Sequence, residues 1–472
     1  MTENRKISPW AWVPTLYFAE GIPYFAVNVI SVIMLTKMGV SNGEMALFTS
    51  LLYLPWVIKP LWSPLVDILR TKRWWVLTMQ ILLSVCFVAL ALSLPTASRL
   101  EASLSPDGTA PVSLFTLTLI IFWVMAFASA THDIAADGFY MLALSPGDQS
   151  LFVGIRSTFY RLASVFGQGV LVVVAGVLEV RLGSVPASWF WTILITAVIF
   201  AAVTLWHLGS LPRPEARCES GVSDSHARDN AAPSQQGSDS AAQGNVAPSQ
   251  QGSGNQSSFR DILRGFGRTF STFFRKKGIF LAIVFMLLYR LPEAFLVKMM
   301  NPFLLADPSA GGLGLSTAEV GAVYGTAGVI ALTLGGILGG FAVARWGLKR
   351  CLWPMALSLA LPCLAFIWLS AAQPSSIWVI SLLVCLDQFG YGFGFTAYML
   401  YMIYFSQGEY KTSHYSLCTA FMALSMMLPG MVAGYLEEAL GYTGFFCLVG
   451  VCCLATVAVT MFVKVEPEYG KK

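Results

Sequence analysis

Charge is what this sequence lacks. Only 11% of its 472 residues are Asp, Glu, Lys or Arg, against about a quarter in a soluble domain, so a water-soluble globule is excluded. Histidine is scarcer still, with four residues, His132, His207, His226 and His414. With no H-E-x-x-H and no G-x-S-x-G, neither a zinc nor a serine hydrolase is indicated, and the chain is not expected to be an enzyme. The nine Cys sit mostly inside apolar runs without C-x-x-C spacing. They read as small hydrophobes in helix packing, with neither disulfide nor metal chemistry implied. No cofactor is expected, and a net charge of +4 points to no nucleic acid.

What the sequence has instead is hydrophobic length. Apolar residues make up 56% of it, including 14 Trp and 32 Phe. A bilayer core about 30 Å thick needs about 20 apolar residues per helix. Qualifying runs fall near 10–36, 44–66, 74–94, 114–143, 150–180 and 187–209, then near 278–304, 316–343, 351–372, 375–405, 412–436 and 442–463. The expected fold is therefore an all-α, multi-pass integral membrane protein of twelve transmembrane helices in two sets of six. The first run is too long for a signal peptide, and no small-residue cleavage site follows it.

The cations fix an expected orientation. Arg5, Lys6, Arg70, Lys72, Arg73, Arg345, Lys349, Arg350, Lys411, Lys464, Lys471 and Lys472 flank the runs on one side, and only Lys37, Arg99 and Arg181 on the other. Positive charge accumulates on the inner face, which puts both termini in the cytoplasm. The chain then divides into an N-terminal bundle (1–209), a linker (210–258), a basic amphipathic segment (259–277), a C-terminal bundle (278–464) and a tail (465–472). The linker is rich in Ser, Gln, Gly, Ala and Pro and carries APSQQGS twice, at 232–238 and 247–253. Such a composition cannot repay chain ordering and predicts disorder. In 259–277, Phe259, Leu263, Phe266, Phe270 and Phe273 share one helical face and Arg260, Arg264 and Arg268 another, as in a helix lying flat on the inner leaflet.

A larger repeat links the halves. SPLVDILRTKR (63–73) follows the second run and GFAVARWGLKR (340–350) the eighth. Aligning Asp67 with Ala344 brings Lys72–Arg73 onto Lys349–Arg350 and Ser63 onto Gly340, as in parallel copies of a six-helix unit. This resembles the major facilitator superfamily, whose loop between helices two and three reads G-x-x-x-D-R/K-x-G-x-R/K-R/K. The second copy keeps Gly340, Arg345, Gly347, Lys349 and Arg350 but has Ala344 for the acid. The first keeps Asp67, Lys72 and Arg73. The resemblance implies a latch role for this loop, so Asp67 is expected to be conformational rather than substrate-binding.

An ionisable residue deep in a membrane helix costs about 2.5–3.5 kcal/mol on insertion scales and is a functional candidate. SATHDIAADGFYMLAL (129–144) carries two such acids. At about 1.5 Å per residue, Asp133 lies about 14 Å from its helix end, with Asp137 one turn nearer on the same face. Arg161 and Arg156 reach matching depths in the next helix. Two rungs are expected: Asp133 with Arg161, and Asp137 with Arg156, the latter structural or gating. Counting likewise puts Glu20, Lys59, Arg290, Glu293 and Asp387 near mid-depth. The acids Glu20, Asp133, Glu293 and Asp387 thus occupy helices one, four, seven and ten, which line the central cavity in the superfamily that the chain resembles. A carboxylate whose cation partner comes and goes can take up and release a proton, whereas a fixed rung only joins helices. His132 reads as a packed, hydrogen-bonded histidine.

Glycine-dense stretches such as 325–340 read as helix-packing surfaces. Tyr24, Phe25, Tyr140, Tyr160, Tyr391 and Tyr398 present rings suited to a sugar or to packing.

Several segments resemble the AmpG-type muropeptide permeases and the wider peptide/acetyl-CoA transporter family. They are FAEGIP (18–23), KPLWSPLVD (59–67), ATHDIAADGF (130–139) with YRL (160–162), YRLPEAF (289–295) and PGMVAGYLEEALGYTGFF (429–446). The match carries over Lys59, Trp62, Ser63, Pro64 and Asp67, then Asp133, Ile134 and Asp137. His132 stands where the family has glutamine, and Glu293 where it has aspartate. The resemblance implies a symporter in the bacterial inner membrane that uses protons to import anhydro-muropeptides, and the chain is expected to be a monomer. Arg161, Arg290, Lys59 and Lys298 suit the carboxylates of such an anionic sugar-peptide. They suit a siderophore, an acyl-CoA or an acidic peptide equally, and a non-transporting sensor is the remaining alternative.

Overall fold

The computed structural model describes residues 7–94, 114–213, 267–268, 270–408 and 410–471. Every regular element among these residues is a helix, and eleven helices are long and apolar enough to cross a membrane. In the N-terminal half they are α1 (Pro9–Lys37), α2 (Asn42–Ser63), α3 (Lys72–Ser93), α4 (Thr116–Ala143), α5 (Gly154–Leu182) and α6 (Val185–Ser210). In the C-terminal half they are α7 (Ile279–Leu305), α8 (Thr317–Trp346), α9 (Leu348–Ala372), α10 (Ile377–Ser406) and α11 (Ser413–Phe462). The runs expected near 412–436 and 442–463 form the single stretch α11, interrupted by Gly441 (φ 68°, ψ 166°), a backbone state that glycine adopts without steric penalty.

The helix starts follow from the sequence. Ser41, Thr71, Ser145, Ser184 and Ser316 each accept a hydrogen bond from the backbone N–H three residues on, which satisfies otherwise orphaned N–H groups. Ser316 and Glu319 complete a reciprocal capping box. Irregular turns interrupt several of the long helices. α1 contains Pro23 followed by a π-helical turn, Ala26–Ile30. α7 is broken at Arg290 (φ −104°, ψ 12°), with Pro292 starting its second segment. α5 and α8 carry π-helical turns at Val165–Val170 and Gly321–Gly328.

Glycine brings these two helices to backbone contact. A Cβ on Gly325 would stand 1.9 Å from the Gln168 carbonyl oxygen, and one on Gly176 would stand 2.3 Å from the Ala318 nitrogen. The same applies where α2 meets α11, since a Cβ on Gly434 would lie 1.8 Å from the Asn42 oxygen.

The apolar core distinguishes the two ends of the molecule. The end carrying Lys72, Arg73, Arg345, Lys349, Arg350 and Lys411 is here called the basic end. At the other end one cluster joins the halves, running from Val32, Met34 and Phe87 to Phe303, Phe366 and Phe446. At the basic end the cores are separate. Trp12, Tyr17, Phe139 and Phe152 belong to one, and Phe285, Tyr289, Met355 and Tyr401 to the other.

The chain after α11 is ordered against the basic end. Leu348 donates its N–H to the Tyr469 oxygen at 2.9 Å, and the Tyr404 and Tyr469 rings meet at 4.8 Å. The linker expected at 210–258 lies outside the described residues beyond Arg213, as do residues 259–266 and 269 of the amphipathic segment. Its described end packs on protein. Phe273 is fully buried, with its ring 6.0 Å from Phe405 and 6.3 Å from Phe421, and Lys276 donates to the carbonyls of Phe405 and Gln407 at 2.6 and 2.7 Å. At Phe273 the face expected on lipid is covered by the neighbouring helix ends.

Candidate functional site

Glu20, Asp133 and Asp137 meet between α1 and α4, where one oxygen from each lies within 4.8 Å of the others. Asp133 pairs with Lys59 of α2 at 2.5 Å. Asp137 pairs with Arg156 of α5 at 3.1 Å and accepts from the Tyr17 hydroxyl at 3.2 Å. The Arg156 guanidinium also sits over the rings of Tyr17 and Tyr140, 4.6 and 5.2 Å from their centroids. Glu20 Oε2 is buried without a hydrogen-bond partner. Three carboxyl groups thus share two cations. The pairs are not sealed: side-chain exposure is 27% and 22% for Lys59 and Asp133, and 32% and 40% for Arg156 and Asp137.

The Asp137–Arg156 rung is where the sequence places it, but the Asp133–Arg161 rung is not. Asp133 takes Lys59, while Arg161 donates to Thr333 of α8 at 3.3 Å. The reason is angular. Five residues separate Arg156 from Arg161, which at 3.6 residues per turn is a rotation of about 140°. If one faces α4, the other cannot. Counting along one helix leaves this azimuth open.

The second cluster is in the C-terminal half. Glu293 of α7 is fully buried, and neither carboxyl oxygen has a partner. It lies within 4.8 Å of Asp387 of α10 and Cys363 of α9, measured between single ligand atoms of each. Asp387, 1% exposed, accepts from Gln388 at 3.2 Å. Arg290 turns from these acids to an aromatic cage. It donates to the Tyr391 hydroxyl at 2.5 Å and lies 4.7 Å from the Phe395 centroid and 5.7 Å from that of Tyr398. Its Nε has no partner. The expected quartet of acids is therefore two groups, Glu20 with Asp133 and Glu293 with Asp387.

The remaining expected residues lie at the basic end. The side chain of Asp67 is outside the described part of the structure. Lys72 lies over Gly138 of α4, whose Cβ would stand 2.7 Å from Lys72 Cε. Arg73 donates to the carbonyls of Leu208 and Leu211 at 2.9 and 3.2 Å, tying α3 to the end of α6. Gly340 faces open space, Arg345 lies 5.8 Å from the Trp346 ring centroid, and Lys349 and Arg350 are exposed.

Several polar groups escaped the sequence reading. His132 is buried and hydrogen-bonded, as expected, but its partner Gln80 (3.0 Å) also accepts from His207 (2.9 Å), which meets Thr15 at 2.9 Å. Lys298, 6% exposed, donates to Thr49 of α2 at 3.0 Å. Asn28 and Asn301 each bury an unpartnered amide oxygen beside it. A signal existed, because both asparagines stand eight residues after a membrane-embedded glutamate. Of the rings suited to a sugar, Tyr398 is fully buried and donates to the Met286 carbonyl at 2.7 Å, so it packs. Tyr24, Phe25 and Tyr160 cluster within 6.3 Å of one another.

Paired acids and cations thus lie inside apolar helices of each half, and the halves share a core at one end. The family model for the Major Facilitator Superfamily matches residues 15–413. The chain belongs to the Major Facilitator Superfamily. It is similar to the anhydromuropeptide permease of Escherichia coli (strain K12), 25% identical over 439 residues that cover 91% of this chain and 74% of the relative. It is also similar to the putative transporter AmpG 4 of Rickettsia felis, 24% identical with 95% and 94% covered. Among solved structures, a D-xylose-proton symporter superposes with a TM-score of 0.63 at 14% identity, covering 98% of both chains. The nucleoside transporter NupG superposes with a TM-score of 0.62 at 14% identity, covering 95% of this chain and 96% of that one. This superfamily member is a multi-pass membrane transporter and not an enzyme.

Proposed function

We propose that this transporter is a proton-coupled importer of anhydro-muropeptides, working by alternating access in the bacterial inner membrane. The observation that carries the coupling is the charge count at Glu20, Asp133 and Asp137. Three carboxyls within 4.8 Å share Lys59 and Arg156, so one bound proton makes the cluster neutral. Glu293 and Asp387, with no cation in ion-pair distance among the described residues, supply a second buried acid pair. Moving the halves changes which cation each acid meets, and with it the proton affinity.

The cargo class is supported by the relatives named above and by cations facing the interior. Arg290, in its aromatic cage, suits a sugar ring or a carboxylate, and Arg161 reaches across to α8. The sixteen sequence candidates divide as follows. Glu20, Lys59, Asp133, Arg161, Arg290, Glu293 and Asp387 bind cargo or protons. Asp67, Lys72, Arg73, Asp137, Arg156, Gly340, Arg345, Lys349 and Arg350 serve gating.

We read α11 as two crossings. Its 50 residues would extend about 75 Å as one helix, more than twice a bilayer core of about 30 Å. Contacts support a reversal at Gly441: Cys418 meets Ser406 near the basic end, Tyr442 meets Asn42 at the other, and Thr456 returns to Tyr289. That makes twelve helices in two six-helix bundles, with the basic end and both termini cytoplasmic.

The test is uptake of a labelled anhydro-muropeptide into proteoliposomes with and without an inward proton gradient. Accumulation that needs the gradient is expected, with Asp133→Asn losing accumulation more than counterflow. Uptake indifferent to the gradient overturns the coupling, and transport of a siderophore or acyl-CoA in place of the muropeptide overturns the cargo.

A further inference from the structure

Lys298 belongs to neither carboxylate cluster. It projects from α7 toward the N-terminal half, where its ammonium meets the hydroxyl of Thr49 at 3.0 Å and lies 5.7 Å from the Tyr53 ring centroid. Among the described residues it makes no ion pair. A buried cation with only a hydroxyl and a ring for company is electrostatically incomplete.

The neighbours are incomplete too. Asn28 is 5% and Asn301 2% exposed, and the Oδ1 of each has no hydrogen-bond partner. Asn28 spends its Nδ2 on the Tyr24 carbonyl at 3.0 Å, which leaves Oδ1 as the free end. Both asparagines line one small cavity with Lys298, Tyr53 and Tyr324. Their spacing from Glu20 and Glu293 is the same eight residues, so the two halves contribute equivalent amides to one space. One buried donor cation and two unpaired acceptors call for a ligand group that is anionic and carries N–H donors beside the charge.

We propose that Lys298, Asn28 and Asn301 form the subsite for the carboxylate end of a peptide-bearing cargo. Lys298 pairs with the terminal carboxylate, and the asparagine oxygens accept from the adjacent amide N–H groups. This rests on the transport function proposed above and adds where the peptide ends. Eight helical residues from Arg290 to Lys298 rise about 12 Å, the reach of three to four extended peptide residues at about 3.3–3.6 Å each. The cavity measures about 20 Å³ here, room for one water. The ligand therefore enters as the contact of Lys298 with Thr49 opens, taking the hydroxyl's place on the ammonium.

The experiment compares two probes in proteoliposomes holding the full chain: a sugar-linked tripeptide with a free terminal carboxylate, and its terminal amide. The wild type should favour the carboxylate by about tenfold, the lower end of what a hydrogen bond to a charged group contributes. Lys298→Gln should bring that ratio near one, and Lys298→Arg should restore part of it. Asn301→Asp places an anion beside the site and should lower carboxylate uptake more than amide uptake, giving a second reading should Lys298→Gln fold poorly. Equal uptake of both probes by the wild type, or a ratio unchanged in Lys298→Gln and Asn301→Asp, overturns the subsite while leaving import intact. No uptake of either probe by the wild type overturns the cargo assignment and the subsite with it.

Discussion

Among single residues, the Lys59–Asp133 pair makes the sharpest prediction. Lys59→Met leaves three acids with Arg156 alone. Removing one member of a sealed ion pair costs about 3–5 kcal/mol, but exposures of 27% and 22% admit water and put the loss below that range. Adding Asp133→Asn removes the stranded charge, so the double variant should regain stability over Lys59→Met while remaining unable to accumulate cargo. Thermal unfolding in detergent and gradient-driven uptake check the two halves of this prediction, and additive losses would show that the pair does not act as a unit. Arg161 offers the contrast. Because it faces Thr333, Arg161→Gln should leave the stability effect of Lys59→Met unchanged. These assignments mark the limit of what the chain disclosed. An acid in an apolar helix is visible at once, as Asp133 and Asp137 were. Its partner depends on where neighbouring helices stand around it, which no count along one helix supplies.

At the level of elements, the end opposite the basic loops is held by two matching contacts. In α5, Gly176 packs on the start of α8, and Glu179 accepts from Thr317 at 2.7 Å. In α11, Gly434 packs on the start of α2, and Glu437 accepts from Asn42 at 2.7 Å. Each is a Gly-x-x-Glu turn against a helix N-terminus, where an acid is favoured by the unpaired N–H groups; Glu438 adds a bond from the Gly43 N–H at 2.7 Å. Gly434→Leu should force this contact open, lowering the thermal midpoint and abolishing uptake. Gly340 is the opposite case. Nothing lies within 4 Å of its would-be Cβ, and alanine is favoured over glycine inside a helix by about 1 kcal/mol. Gly340→Ala should therefore not lower the thermal midpoint. A slowed uptake at an undiminished midpoint is expected of a helix glycine that needs its space only when the basic end closes. The repeated loop was readable in the sequence, because it lies in two short segments of matching local chemistry. The Gly-x-x-Glu contacts were not, since each joins segments more than a hundred residues apart.

For the whole molecule, the distribution of core distinguishes the two ends. Apolar residues of both halves form one cluster at the Gly-x-x-Glu end and two unconnected clusters at the basic end. Packed cores resist continuous deformation and switch between discrete arrangements, so the halves can part more readily at the basic end, where they share no apolar cluster among the described residues. The greater exposure of Arg156 and Asp137, set against the sealing of Lys298, fits the same gradient from open to closed. Access can alternate only if the joined end opens in turn. Thr317→Cys with Glu179→Cys, in a background without other cysteines, places two thiols where a hydrogen bond of 2.7 Å now stands. Bridging them with a short bifunctional thiol reagent should abolish net uptake. An Arg156→Cys thiol in the same bridged protein should still react with a membrane-impermeant reagent added on the basic side, and not on the other. Undiminished transport by the bridged protein would mean that this end does not open, and that the two clusters of acids are struts between helices rather than parts of a coupled carrier.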